Sequence, residues 1–127
     1  MLMEEILSHH PQVLHEDHRL SYFIDGYLLL PGFIDNGWID DLNAELEKII
    51  EASRDIDQST DNILIEGGHT RSHPRLLRVN QIVDHSQVFW NFATESVLPD
   101  IADDLVGPDV KFRESTVNFK WAGGGTE

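Results

Sequence analysis

The chain has no cysteine among its 127 residues. Disulfides, thiolate zinc sites and a cysteine nucleophile are therefore excluded together. Positive charge is scarce: 9 Lys and Arg face 23 Asp and Glu, a formal net charge of -14. Such a field repels phosphate backbones and anionic lipid headgroups, so neither nucleic acid nor a membrane is an expected partner. No apolar run approaches the roughly 20 residues that span a bilayer. The opening stretch, Met1-Leu2-Met3-Glu4-Glu5, is acidic and unlike a secretory leader, and a soluble cytoplasmic protein is the expectation. There is no internal repeat and no sign of a second domain.

What is present is ordinary globular composition, 40% hydrophobic and 25% charged, on a chain long enough for one small domain with a modest core. Residues Met1 to Arg19 carry four histidines and several acids with little periodicity, and Pro11 interrupts any helix there. Tyr27-Leu28-Leu29-Leu30, ended by Pro31-Gly32, reads as a short buried strand. Asp35 follows as a helix N-cap, with Ile34 and Ile39 placed to staple across it. Ile39, Leu42, Leu46, Ile49 and Ile50 then recur at three- and four-residue steps, the apolar face of a helix running to about Ser53.

Arg54 to Pro74 reads as a long polar loop holding a short extended piece at Ile63-Leu64-Ile65. Leu76, Leu77 and Val79 suggest another strand. Asp84 and Gln87 resemble a capping box for a helix through Val88, Phe89, Phe92 and Ala93. Pro99 suits the first turn of a further helix with Ile101, Ala102 and Leu105, stopped by Gly107-Pro108. From Thr116 to Trp121 the chain alternates. Val117, Phe119 and Trp121 share one face, while Thr116, Asn118 and Lys120 share the other. Ala122 to Glu127 is glycine-rich and reads as a loop.

Several constellations match functional patterns by letter only. His15-Glu16-Asp17, beside His18, spells the His-x-Asp of an iron site but lies in a segment without strand pattern, and His9-His10 is a bare histidine pair. Asp55, Asp57, Ser59 and Glu66 fall at calcium-loop positions, yet Thr60 replaces the required glycine and Gly67-Gly68 stands where an exit helix should begin. His69 and His73 are four apart, but the glycines before them and Pro74 after them favour a loop over a helix. Gly123-Gly124-Gly125 lacks the Lys-Ser/Thr of a phosphate loop. No serine sits on a strand-turn-helix elbow, so a Ser-His-Asp hydrolase has no support.

Three stretches, in order, resemble the amino-terminal part of the phytanoyl-CoA dioxygenase family. They are Gly26-Tyr27-Leu28-Leu29-Leu30-Pro31-Gly32-Phe33-Ile34 with its following helix, Leu105-Val106-Gly107-Pro108-Asp109-Val110, and Val117-Asn118-Phe119-Lys120. The resemblance spans Tyr22 to Glu127 and leaves residues 1–21 as an N-terminal extension. It implies an α+β chain: N-terminal helices plus the first strands of a double-stranded β-helix, or jelly-roll, oxygenase. Such an enzyme uses Fe(II) and 2-oxoglutarate to hydroxylate a small organic or acyl-type substrate.

In that family a His-x-Asp and a distant His hold the iron and leave positions open for reactants. An arginine further along pairs with the distal carboxylate of 2-oxoglutarate. By the resemblance, the His-x-Asp is expected shortly past Glu127, so the chain itself is expected to bind neither iron nor cosubstrate and to be inactive. The resemblance places Asn118 against 2-oxoglutarate and Lys120 beside it on the same strand face. Glu114 stands where some relatives carry a glutamine, and a carboxylate there would repel a dicarboxylate unless paired. The alternative for Asn118 and Lys120 is the solvated face of an amphipathic strand. The alternative for the whole chain is a small acidic α+β binding or scaffold module without chemistry.

Overall fold

The structure, a computed structural model, describes residues 2–124. Gly125, Thr126 and Glu127, the end of the expected glycine loop, lie outside the described residues. Among the described residues six α-helices form: α1 (Met3–Ser8), α2 (Glu16–Asp25), α3 (Asn36–Ala52), α4 (Ile82–His85), α5 (Gln87–Glu95) and α6 (Leu98–Val106). Three strands, β1 (Ile63–Ile65), β2 (Leu76–Asn80) and β3 (Thr116–Asn118), make an antiparallel sheet in the order β1-β2-β3. The class is α+β, as expected. No helix among the described residues is long and apolar enough to cross a membrane. The chain divides into two compact units, Met1–Trp38 with Asn91–Phe112, and Ile39–Trp90 with the chain from Arg113 onward.

In the first unit α1, α2 and α6 pack against one another around Ile6 and Leu14. The centre is polar as well as apolar, because Arg19 and Asp104 are 1% and 2% exposed. The Asp104 carboxylate accepts three consecutive backbone N–H groups, from Gln12 (2.6 Å), Val13 (2.9 Å) and Leu14 (2.7 Å). Arg19 donates from Nε to the Asp104 carbonyl (2.9 Å), from Nη1 to the His9 carbonyl (3.0 Å), and from Nη2 to the Ile6 carbonyl. One guanidinium thus ties the end of α1 to α6. One carboxylate ties α6 to the stretch between α1 and α2.

This network explains how a start with little periodicity still forms helices. Pro11 does lie outside any helix, but helices stand on both sides of it. Such short segments are marginal alone, and here buried hydrogen bonds rather than apolar periodicity hold them. A correction concerns Tyr27-Leu28-Leu29-Leu30, expected as a short buried strand. The segment is not a strand, and Tyr27 and Leu29 are 70% and 76% exposed. A strand needs a neighbour for its backbone N–H and C=O groups, and no described residue pairs with this one.

The second unit is built on β2, which hydrogen-bonds β1 on one edge and β3 on the other. Ile63, Val79 and Val117 stand in one cross-strand row, and Leu64, Arg78 and Asn118 in the next. Ile65 is opposite Leu76, so Leu77 is an extra residue, a bulge. The bulge lets Leu76 and Val79, three apart, both turn inward to 0% and 1% exposure. With Ile82 they form the core, covered by Leu46, Ile49 and Ile50 of α3, Phe89 of α5, and Ile63, Ile65, Val117 and Phe119.

Asp35 caps α3 by accepting the Trp38 N–H (3.1 Å). The helix ends at Ala52, where a 3-10 turn, Ser53–Asp55, takes over. Ile39, at the start of its apolar face, stays 43% exposed. The cap expected from Asp84 and Gln87 falls elsewhere. Asp84 lies inside the one-turn α4, and Ser86 caps α5 by accepting the Phe89 N–H (3.4 Å) while donating to Glu45 (2.8 Å). Hydrogen bonds from Lys48 and from Ser86 outweigh burial and lower the Glu45 carboxyl. Pro99 sits in the first turn of α6, and Gly107 closes it at φ 99° with its N–H on the Asp103 carbonyl.

Burial alone would push the Asp104 carboxyl up. The N–H groups of Val13, Gln12 and Leu14 and the charge of Arg19 together outweigh it and hold the group below the usual carboxylate range. Its unfolded value is about 3.9, so its stabilising contribution is complete above that pH and is lost as pH falls through the lower folded value. Asp104→Ala strands three backbone donors and is expected to cost about 3 kcal/mol in urea unfolding. Asp104→Asn is expected to flatten the fall in stability below about pH 4. An unchanged urea midpoint for the alanine variant would contradict this account.

Candidate functional site

The expected alternation holds along the third strand and past its end. Val117, Phe119 and Trp121 turn inward, half-buried, while Thr116, Asn118 and Lys120 are exposed. Beyond Asn118 the strand direction is kept by the Phe119 N–H on the Leu77 carbonyl (3.0 Å) and the Trp121 indole N–H on the Leu76 carbonyl (2.6 Å). Asn118 lies on one face of the sheet, Lys120 continues the same exposed alternation just past the strand's end, and the opposite face carries the core.

Asn118 lies directly across from Arg78, and its Oδ1 accepts a hydrogen bond from Arg78 Nε (2.9 Å). Asn80 stands across from Thr116 and spends its amide on the Asp61 carbonyl (2.9 Å). Residues 63–65, 76–80 and 116–120 contain no carboxylate, although the chain has 23. The open face thus gathers Arg78, Asn118, Lys120 and Thr116, groups that donate hydrogen bonds, in an otherwise acidic protein. Glu114 is exposed and precedes the strand.

Arg78 was not singled out by sequence reasoning. Its signal was local: it sits between Leu77 and Val79 in a strand, where alternation turns it to the polar side. That it faces Asn118 depends on which strand pairs with which.

The other motif-like groups are occupied structurally or do not converge. His15 is the N-cap of α2, Asp17 is exposed in its first turn, and the His18 ring lies edge-on to Phe33 with centroids 6.2 Å apart. Exposed His10 bonds its neighbouring Pro11 carbonyl (2.8 Å), and the His9 carbonyl serves Arg19. Of the calcium-like set, Asp55 pairs with Arg71 (2.9 Å) and Ser59 accepts the Ile65 N–H (3.0 Å). Glu66 is buried against Arg75 (2.8 Å).

His69 is not a free ligand. Its Nδ1 accepts the Arg75 N–H (2.8 Å), which leaves Nε2 to donate to the Ser53 carbonyl (3.1 Å). His73 lies in a turn closed on Thr70. Ala122 and Gly123 form a turn closed by the Gly124 N–H on the Trp121 carbonyl (3.0 Å), and Gly125 lies outside the described residues. Among the described residues no group of three or more His, Asp or Glu could hold a metal ion. They therefore do not fit an iron centre. The groups on the open face are hydrogen-bond donors, complementary in chemistry to an acceptor-only group such as a carboxylate.

The two faces of the sheet predict opposite mutational behaviour. Val79→Ala, in the core, is expected to cost about 2 kcal/mol. Asn118→Ala and Lys120→Ala, on the open face, are expected to stay within about 0.5 kcal/mol of the parent in urea unfolding. A loss at Lys120 as large as that at Val79 would contradict the assignment of faces. No protein-family model, curated protein or solved structure matches the chain.

Proposed function

We propose that the chain is the front portion of an Fe(II)/2-oxoglutarate oxygenase of the phytanoyl-CoA dioxygenase family, acting on a small organic or acyl-type substrate. The observation that carries this reading is the two-faced sheet. Helix α3 and the apolar row back one side, and the other side is open and bears Asn118, Lys120 and Arg78. A jelly roll consists of two sheets whose facing sides enclose the site. A helix-backed sheet with a polar, cationic inner face is what one of those sheets would contribute.

On this reading the 2-oxoglutarate carboxylates would meet the Asn118 amide and the Lys120 ammonium. Two further observations lend support. Tyr27 and Leu29, in the family-like opening stretch, are large and exposed, as side chains awaiting a covering partner would be. The capped helix α3 also follows the first family-like stretch, and the third stretch overlaps β3. Iron would have to be held by residues beyond those described.

The test is to read the coding sequence past Glu127. A His-x-Asp soon after it, followed later by a His and an Arg, is the expected outcome. In that longer protein, Asn118→Ala is expected to raise the KM for 2-oxoglutarate by about tenfold while the fold survives. A stop codon directly after Glu127 would sink the reading and leave an acidic α+β binding module in its place. Such a module should unfold cooperatively as a monomer, without binding a hydrophobic dye.

A further inference from the structure

Among the described residues, four basic side chains are paired with acids: Lys48 with Glu45, Arg54 with Glu51, Arg71 with Asp55, and Arg75 with Glu66. Arg78 is different, because its partner is the neutral amide of Asn118. A guanidinium can only donate, so the amide must turn its oxygen toward Arg78. Its NH2 is then the end left for a ligand. A free asparagine could flip and offer an acceptor instead, and this one is held against doing so.

The pair leaves four kinds of donor on one side of the sheet. They are the two terminal nitrogens of Arg78, Nδ2 of Asn118, Nζ of Lys120 and the Thr116 hydroxyl. Cross-strand Cβ atoms lie about 5 Å apart, and residues two apart on a strand about 7 Å, so a small dicarboxylate could reach all three charged or amide groups. No carboxylate on the strands competes for them.

We propose that Arg78 is the positioning residue of a carboxylate-binding site on this face. It turns the Asn118 NH2 toward the ligand and, with Lys120, supplies the positive charge. The assignment rests on the oxygenase reading only in taking 2-oxoglutarate as the carboxylate. Charge complementarity and the fixed amide carry the rest.

Against the expectation that the 127-residue chain binds no cosubstrate, these donors suffice for weak, saturable binding, so the probe is 2-oxoglutarate itself, titrated into that chain while backbone amide resonances are followed by NMR. Saturable shifts are expected at Arg78, Asn118 and Lys120. The decisive variant is Asn118→Asp. Its carboxylate still accepts the Arg78 hydrogen bond, so the melting temperature should hold or rise. The outward donor is gone, however, and affinity should fall by at least about tenfold. Arg78→Met should weaken binding similarly, and if it fails to fold, Asn118→Asp alone decides.

Wild-type affinity in Asn118→Asp would overturn the proposal, as would shifts that never saturate. Equal affinity for inorganic phosphate at the same ionic strength would overturn the assignment to carboxylates. Failure here is separable from failure of the oxygenase reading. Binding by a chain whose gene stops at Glu127 would keep this site and remove the oxygenase. A downstream His-x-Asp without binding would do the reverse.

Discussion

Strand β2 is hydrogen-bonded along both edges, and that double pairing decides where every side chain of the sheet points. Once Val79 faces the helices, its cross-strand partners Ile63 and Val117 must face them too. Arg78, Leu64 and Asn118 are then forced to the other side, because successive residues of a strand alternate. A one-residue slip would bury Arg78 and Asn118 and expose Val79 and Val117, which the apolar row forbids. The candidate site therefore exists because the core on the opposite face is specified.

The first unit solves a different problem. Its helices α1 and α2 are six and ten residues long and bury few apolar side chains. Arg19 and Asp104 take the place of a larger core. Burying charges is costly unless their hydrogen-bonding capacity is filled, and here three N–H groups meet the carboxylate and three carbonyls meet the guanidinium. The same directionality that makes the network expensive to break gives these three segments one arrangement rather than several. It also links that arrangement to pH through a carboxyl that must stay ionised.

Much of the second unit was legible from residue order. Asp35 as the cap of α3, the apolar steps of Leu46, Ile49 and Ile50, the short strands at Ile63 and Leu76, and the alternation from Val117 to Trp121 are local patterns set by helix and strand periods. Pro99 and Gly107 likewise bounded α6 by backbone constraints that each residue carries with it. The misses have a common cause. Tyr27 to Leu30 has strand composition, but a strand depends on a partner. The helices flanking Pro11 lack apolar periodicity because hydrogen bonds to Arg19 and Asp104 hold them. Asp84 looked like a cap, but the chain breaks two residues later, at Ser86, where the hydroxyl can also reach Glu45.

The candidate site divides in the same way. The order of residues alone determined that Asn118 and Lys120 lie on one face of a strand, since a period of two needs no knowledge of the rest of the chain. It also determined that this face would sit in a strongly acidic, cysteine-free protein. Only the tertiary structure decided that Arg78, forty residues earlier, stands opposite Asn118 and turns its amide. Pairing and register are long-range choices, made by the burial of Leu76, Val79 and Ile82 under α3 and α5, and no local pattern encodes them.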